Sequence, residues 1–288
     1  MPYPFTISLG GIPIALVPEQ ISGEYESVNR AVEFQTLENP EISLQVHCGG
    51  FPDLTNLPVA YETIQGWQLL HRNGRSLIKV RSAALDPYIL GDYAPDYRSG
   101  DLYLAAPPET PGLYRFPFSY PMGELFMMNL LGTGVGMLFH ACGVIEGGKA
   151  YLFSGNSRAG KTTTARMWQG RTGVRVVNDD KVIVRKQDGK FMLYGTPWHG
   201  EGGMALPDSA PLARVFLLKH GQQNILNPLT PVQAASGLFG RSFIPLWDSA
   251  KIDFTLQFLD ELCQAVPCQE YSFLPDSSAV EFVSNLND

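Results

Sequence analysis

The sequence predicts an α+β protein of two domains: a small β-rich domain over residues 1–121, then a domain over 122–288 with a mixed β core and flanking helices. Three observations lead there. The chain has 288 residues, more than one hydrophobic core ordinarily organises and enough for two. Of its 22 prolines, 14 lie at or before Pro121, a distribution that favours short strands and turns over long helices in the first part. Beyond that point apolar strand-length runs alternate with amphipathic helical ones. With 44% apolar and 17% charged residues the chain can bury a substantial core, which excludes a disordered protein.

Taken in order, Ile42–Val46 and Leu77–Val80 read as strands bounded by Gly and Pro. Ala105–Gly112, with adjacent prolines and a closing Pro-Gly, suits neither a helix interior nor a central strand and reads as the linker. Gly123–Leu131 reads as a helix, Val135–Ile145 and Ala150–Ser154 as strands, and the stretch from Thr163 to Trp168 as helical. Further strands are expected at Val174–Val177, Val182–Lys186, Phe191–Tyr194 and Val215–Lys219, the middle pair forming a hairpin at Asp188-Gly189. Helices are expected at Pro231–Leu238, Asp253–Ala265 and Asp276–Leu286, the last two opening on an Asp suited to capping free amides.

The net charge is -7, from 21 basic and 28 acidic residues, which disfavours a surface for nucleic acid or an anionic membrane. Residues 1–121 carry 7 basic and 13 acidic side chains, so most of the acidity lies there. Residues 149–190 carry 10 basic and 3 acidic ones, a cationic island suited to a compact anion. Four scattered cysteines (Cys48, Cys142, Cys263, Cys268) give neither a disulfide framework nor a zinc spacing. The start of the chain lacks a basic region followed by an apolar core, and the longest apolar run, Leu125–Phe139, is interrupted by glycines. No membrane segment and a cytoplasmic location are therefore expected.

Gly155-Asn156-Ser157-Arg158-Ala159-Gly160-Lys161-Thr162 satisfies the Walker A pattern in full, between an apolar strand and a helix that opens with Thr163. The chemistry follows from the residue types. Glycines let backbone amides turn inward toward phosphate oxygens, and the helix presents its positive end to the same charge. Lys161 would neutralise the β and γ phosphates, and the Thr162 hydroxyl would hold a divalent cation.

Val176-Val177-Asn178-Asp179-Asp180 is an apolar strand ending in two carboxylates, where one could fix a metal and the other accept a proton. Upstream, His140 and Cys142 share one side of a strand; Cys142 reads as core. Downstream, Gly195–Gly203 is a glycine-rich loop carrying Trp198, His199 and Glu201, with Glu201 a candidate metal ligand and Trp198 a candidate stacking surface. Arg241 is a candidate stabiliser of charge on a transferred phosphoryl group.

His140 on a strand, then the Walker A loop and its helix, then Asp179-Asp180 at a strand end: this order resembles the catalytic domain of the HPr kinase/phosphorylase family, over roughly residues 122–220. The resemblance implies a mixed β core related to phosphoenolpyruvate carboxykinase and transfer of the γ-phosphoryl group of ATP, with Mg2+, to a serine hydroxyl. It implies that Gly155–Thr163 hold the phosphates, that Asp179 takes the serine proton, that Asp180 supports the metal beside Thr162 and Glu201, and that His140 and Arg241 complete the site. It also implies a homo-oligomer. The chain departs from the family at Arg158, where a glycine is usual, at Asn156, where an acid is usual, and at Thr196–Gly203, which replaces the HPr-docking signature. That last segment resembles the HPr-kinase-related proteins of bacterial peptide-modification gene clusters, so the acceptor expected is a serine-bearing peptide or protein other than HPr. A non-catalytic ATP- or GTP-binding module and a small-molecule kinase stay open as alternatives.

Overall fold

The computed structural model describes residues 5–19, 24–25, 30–64, 66–83, 85–106 and 112–286. Its contacts divide the chain into two units, Met1–Leu130 and Leu131–Asp288. Each unit contains a large mixed sheet, and among the described residues there are five α-helices, an α+β content. Residues 107–111 of the expected linker lie outside the described residues.

The first unit runs through β1 (Phe5–Leu9), β2 (Ile12–Pro18), β3 (Glu24–Tyr25), β4 (Ile42–Cys48), β5 (Val59–Glu62), β6 (Trp67–Arg72), β7 (Arg75–Val80), β8 (Ile89–Tyr93), β9 (Ser99–Leu104), β10 (Leu113–Tyr114) and α1 (Met122–Leu131). Eight strands pair in the order β1-β2-β4-β9-β8-β7-β6-β5, with β2–β4 and β4–β9 parallel. Along β4, Ile42, Leu44 and Val46 are buried while Ser43 and Gln45 are exposed, the period of two that a half-buried strand requires. Phe126 of α1 stacks on Phe118 and meets Tyr93, whose hydroxyl donates to Met122 Sδ. This aromatic packing draws α1 into the first unit, although a boundary at residue 121 placed it in the second. Proline distribution marks where composition changes; a helix joins whichever core its apolar side chains fill.

The second unit runs through β11 (Met137–Glu146), β12 (Lys149–Ser154), α2 (Lys161–Trp168), β13 (Val174–Asn178), β14 (Lys181–Gln187), β15 (Lys190–Tyr194), β16 (Ser209–His220), β17 (Ile225–Pro228), α3 (Pro231–Phe239), β18 (Ser242–Phe243), α4 (Ser249–Ala265), β19 (Cys268–Phe273) and α5 (Ser277–Ser284). The hairpin β14–β15 turns at Asp188 and Gly189, both with positive φ (48° and 76°), as its tight turn demands. Asp276 caps α5 as expected. By contrast α4 begins at Ser249, because the Asp248 carboxylate accepts from the amides of Ala250 and Lys251; Asp253 lies inside the helix.

β12 runs parallel to β16, and β16 parallel to β19, while β11 is antiparallel to both β12 and β14. Since β12 pairs with β11 on one side and β16 on the other, the path β12-β11-β14-β15-β16 closes on itself. Neighbouring residues of β12 feed opposite cores. Leu152 joins Phe139, Val215 and Leu238; Phe153 joins Ala165, Trp168 and Phe216. A strand buried on both faces reads as a continuous apolar run, as this one does. Its end, Ser154, therefore delivers the following glycine loop to the C-terminal end of the parallel strands β12, β16 and β19.

Trp168 closes α2 and is 1% exposed against the rings of Phe153 and Tyr151. Trp168→Ala is expected to cost about 3–5 kcal/mol, read from urea unfolding.

Candidate active site

The loop between β12 and α2 is held from within. The Asn156 carbonyl accepts from the Ala159 amide at 3.0 Å, forming a turn whose third residue, Arg158, has φ 65°. Gly160 has φ 102°, and a Cβ there would stand 2.5 Å from the Phe273 ring, so glycine is required on both counts. No side chain caps α2, which leaves its first amides for another partner. Lys161 folds back over the loop, its Nζ donating to the carbonyls of Gly155 at 3.0 Å and Asn156 at 3.3 Å. Burial lowers its pKa, the Asp180 charge opposes that, and the Arg241 charge adds to the lowering.

The acidic pair is positioned by an interrupted strand. β13 and β14 pair in succession with the same strand, Gly143 opposite Asn178 and His140 opposite Lys181. Asp179 and Asp180 occupy the break. Asn178, 0% exposed, organises it: its Oδ1 accepts from the amides of Asp180 and Lys181, both at 2.7 Å, and its Nδ2 donates to Thr196 O at 2.8 Å and Trp198 O at 3.3 Å.

The two aspartates then part. Asp179 is 1% exposed, and its carboxylate accepts from the amides of Gly202 at 2.8 Å, Gly200 at 3.1 Å and Met204 at 3.3 Å. Gly200 and Gly202 are needed for that approach, since a Cβ on either would stand 2.8 or 2.6 Å from Asp179 Oδ2. Asp180 instead faces open space, its Oδ1 lying 3.1 Å from His140 Nδ1 and its Oδ2 bonded to Lys181 Nζ. Burial disfavours its ionisation, but these hydrogen bonds and charges outweigh burial and hold its carboxyl far below the usual range.

A cavity of about 700 Å³ brings together His140, Ser157, Arg158, Gly160, Lys161, Thr162, Thr163, Asp180 and Glu201. Thr162, Asp180 and Glu201 thus share one space as oxygen donors of the kind Mg2+ prefers; among the described residues no three His, Cys, Asp or Glu side chains form a metal-binding group. Asn156 and Ala159 line a smaller adjoining cavity of about 330 Å³. Asp179, Arg241 and Trp198 line neither. Trp198 is buried, and Arg241 donates to Gly237 O while its own carbonyl accepts from the His140 amide at 2.8 Å. Cys142 is fully buried and its thiol is pushed well above the usual range, first by burial and then by the Asp179 charge, as befits a core residue.

Arg166 and His220 also line the large cavity. Arg166 lies one helical turn beyond Thr162, so periodicity alone could have found it. His220 is supplied by the far end of β16, which is adjacent only because β12 and β16 pair.

No protein-family model matches the chain, and no curated protein matches it. Among solved structures, the Hpr(Ser) kinase/phosphatase from Coxiella burnetii aligns with 51% of this chain and 93% of its own at 12% identity, with a TM-score of 0.30. A score that low leaves the site geometry to stand by itself.

Two outcomes follow from the acidic turn. Asn178→Ala, which orphans two amides and two carbonyls, is expected to lower unfolding stability by about 2–3 kcal/mol and to speed hydrogen exchange at Asp180 and Lys181. A carboxyl whose folded pKa is depressed stabilises the fold above its unfolded value of about 4, and that contribution fades as pH falls toward the folded value. The melting-temperature gap between wild type and Asp180→Asn should therefore be widest near neutrality and narrow steadily below about pH 4.

Proposed function

We propose that the second unit is an ATP- and Mg2+-dependent phosphotransferase that passes the γ-phosphoryl group to a hydroxyl, a serine in a peptide or protein. One observation carries this reading: a complete Walker A loop opens onto a single cavity whose other wall is the His140–Asp180 pair.

Each residue has a task in that reading. Inward amides of the loop and of the uncapped first turn of α2 bind phosphate oxygens. Lys161 exchanges its bonds with Gly155 and Asn156 for bonds to the β and γ phosphates. Thr162, Asp180 and Glu201 would hold Mg2+, which when bound would neutralise charge developing on the transferring group. The resemblance cast Asp179 as the proton acceptor. Its carboxylate, however, is engaged by three amides, so the role of proton acceptor passes in this proposal to His140. Asp180 accepts a hydrogen bond from Nδ1–H and so leaves Nε2 unprotonated to take the proton of the acceptor hydroxyl, the orienting role a carboxylate plays beside a histidine base. Asp179 holds the glycine loop that completes the cavity wall.

The test is transfer from γ-labelled ATP with Mg2+ to a serine-peptide library, resolved by mass spectrometry. Lys161→Ala should weaken ATP binding by about a hundredfold, having lost a charge-assisted contact. His140→Ala should keep ATP affinity within about threefold and lose transfer by about 10²-fold or more. ATP binding with no labelled acceptor would favour the non-catalytic nucleotide module; absence of ATP binding would overturn both.

A further inference from the structure

Resting on the nucleotide-loop reading above, we infer that His220 is a positioning residue that holds the phosphate loop in its binding shape, offsetting the absence of glycine at position 158. The Asn156–Ala159 turn is closed by a hydrogen bond of 3.0 Å and places Arg158 third, with φ 65°. Turns with a positive φ at that position take glycine because a Cβ crowds the backbone there. Arg158 holds this conformation against its own preference, so something outside the turn holds it too.

The strand register supplies it. Leu217 of β16 pairs with Ser154, the last residue of β12, and the two strands are parallel, so Leu218, Lys219 and His220 run on beside the loop. His220 Nε2 lies 2.7 Å from the Arg158 carbonyl oxygen and donates to it. Its ring stacks at 6.2 Å on Phe273, the same ring that fills the space beside Gly160. One contact thus fixes the carbonyl of the strained residue, and its neighbour fixes the glycine that starts α2.

The prediction is a specific pattern of coupling. His220→Ala should weaken ATP binding by about five- to tenfold, the loss expected for one hydrogen bond. His220→Gln, which keeps an N–H donor, should restore most of it. In an Arg158→Gly background, where the turn carries no strain, adding His220→Ala should change affinity by less than about twofold. In parallel, hydrogen exchange of nucleotide-free protein should speed up over residues 155–161 in His220→Ala and return in the double variant, with the melting temperature unchanged. Equal effects of His220→Ala in both backgrounds, or unchanged exchange in the loop, would overturn the proposal even where ATP binds. A wild-type protein that shows the exchange pattern but binds no ATP would overturn the functional reading and leave the role of His220 intact.

Discussion

The acidic wall of the cavity depends on one buried side-chain amide. Asn178 uses its oxygen to collect the amides of Asp180 and Lys181 and its nitrogen to hold the carbonyls of Thr196 and Trp198. A buried amide without partners is costly, so both segments are tied to whatever orientation satisfies it. The turn it organises sends Asp179 back toward the glycine loop and Asp180 out toward Lys161. Thr196 strengthens the arrangement by donating its hydroxyl to Lys181 O at 2.8 Å. The separate environments of two adjacent carboxylates, one sealed by amides and one paired with His140, follow from this geometry.

Much of the site was legible in the residues because its determinants are local. The glycine loop, the helix after it and the Asp188-Gly189 hairpin each depend on backbone conformations that few residue types adopt. What escaped was set by distant chain. Which aspartate faces the cavity is decided by Gly200 and Gly202, some twenty positions later, through contacts that spacing does not encode. Trp198, whose place in a polar, glycine-rich loop suggests a stacking surface, is buried, and its carbonyl is bound to Asn178. β19 carries no apolar-run signal because half of it is polar, and α1 follows the change in composition yet packs its Phe126 with Tyr93 and Phe118.

The cationic island of residues 149–190 also resolves into parts. Lys186 pairs with Glu261, Arg175 with Asp208 and Lys181 with Asp180, so these charges are balanced where they stand. Arg158, Lys161 and Arg166 face the cavity, with Asp180 and Glu201 opposite. Positive charge in the cavity is thereby contributed by these three side chains and negative charge by the two carboxylates.

The closed strand path has a kinetic meaning. β12, which leads into the glycine loop, is hydrogen-bonded along both edges, whereas β5 and β17 lie at the ends of their sheets with side chains largely exposed. Protection from solvent exchange is greatest where a strand has no edge and is buried on both faces, and least where pairing ends. Fraying can begin at β17 without reaching the ring, so the loop keeps its foundation through every fluctuation short of opening the β12–β16 or β11–β12 ladders. The cavity is therefore anchored in the slowest-opening part of its unit, and partial unfolding of that unit leaves the cavity wall formed by the loop intact.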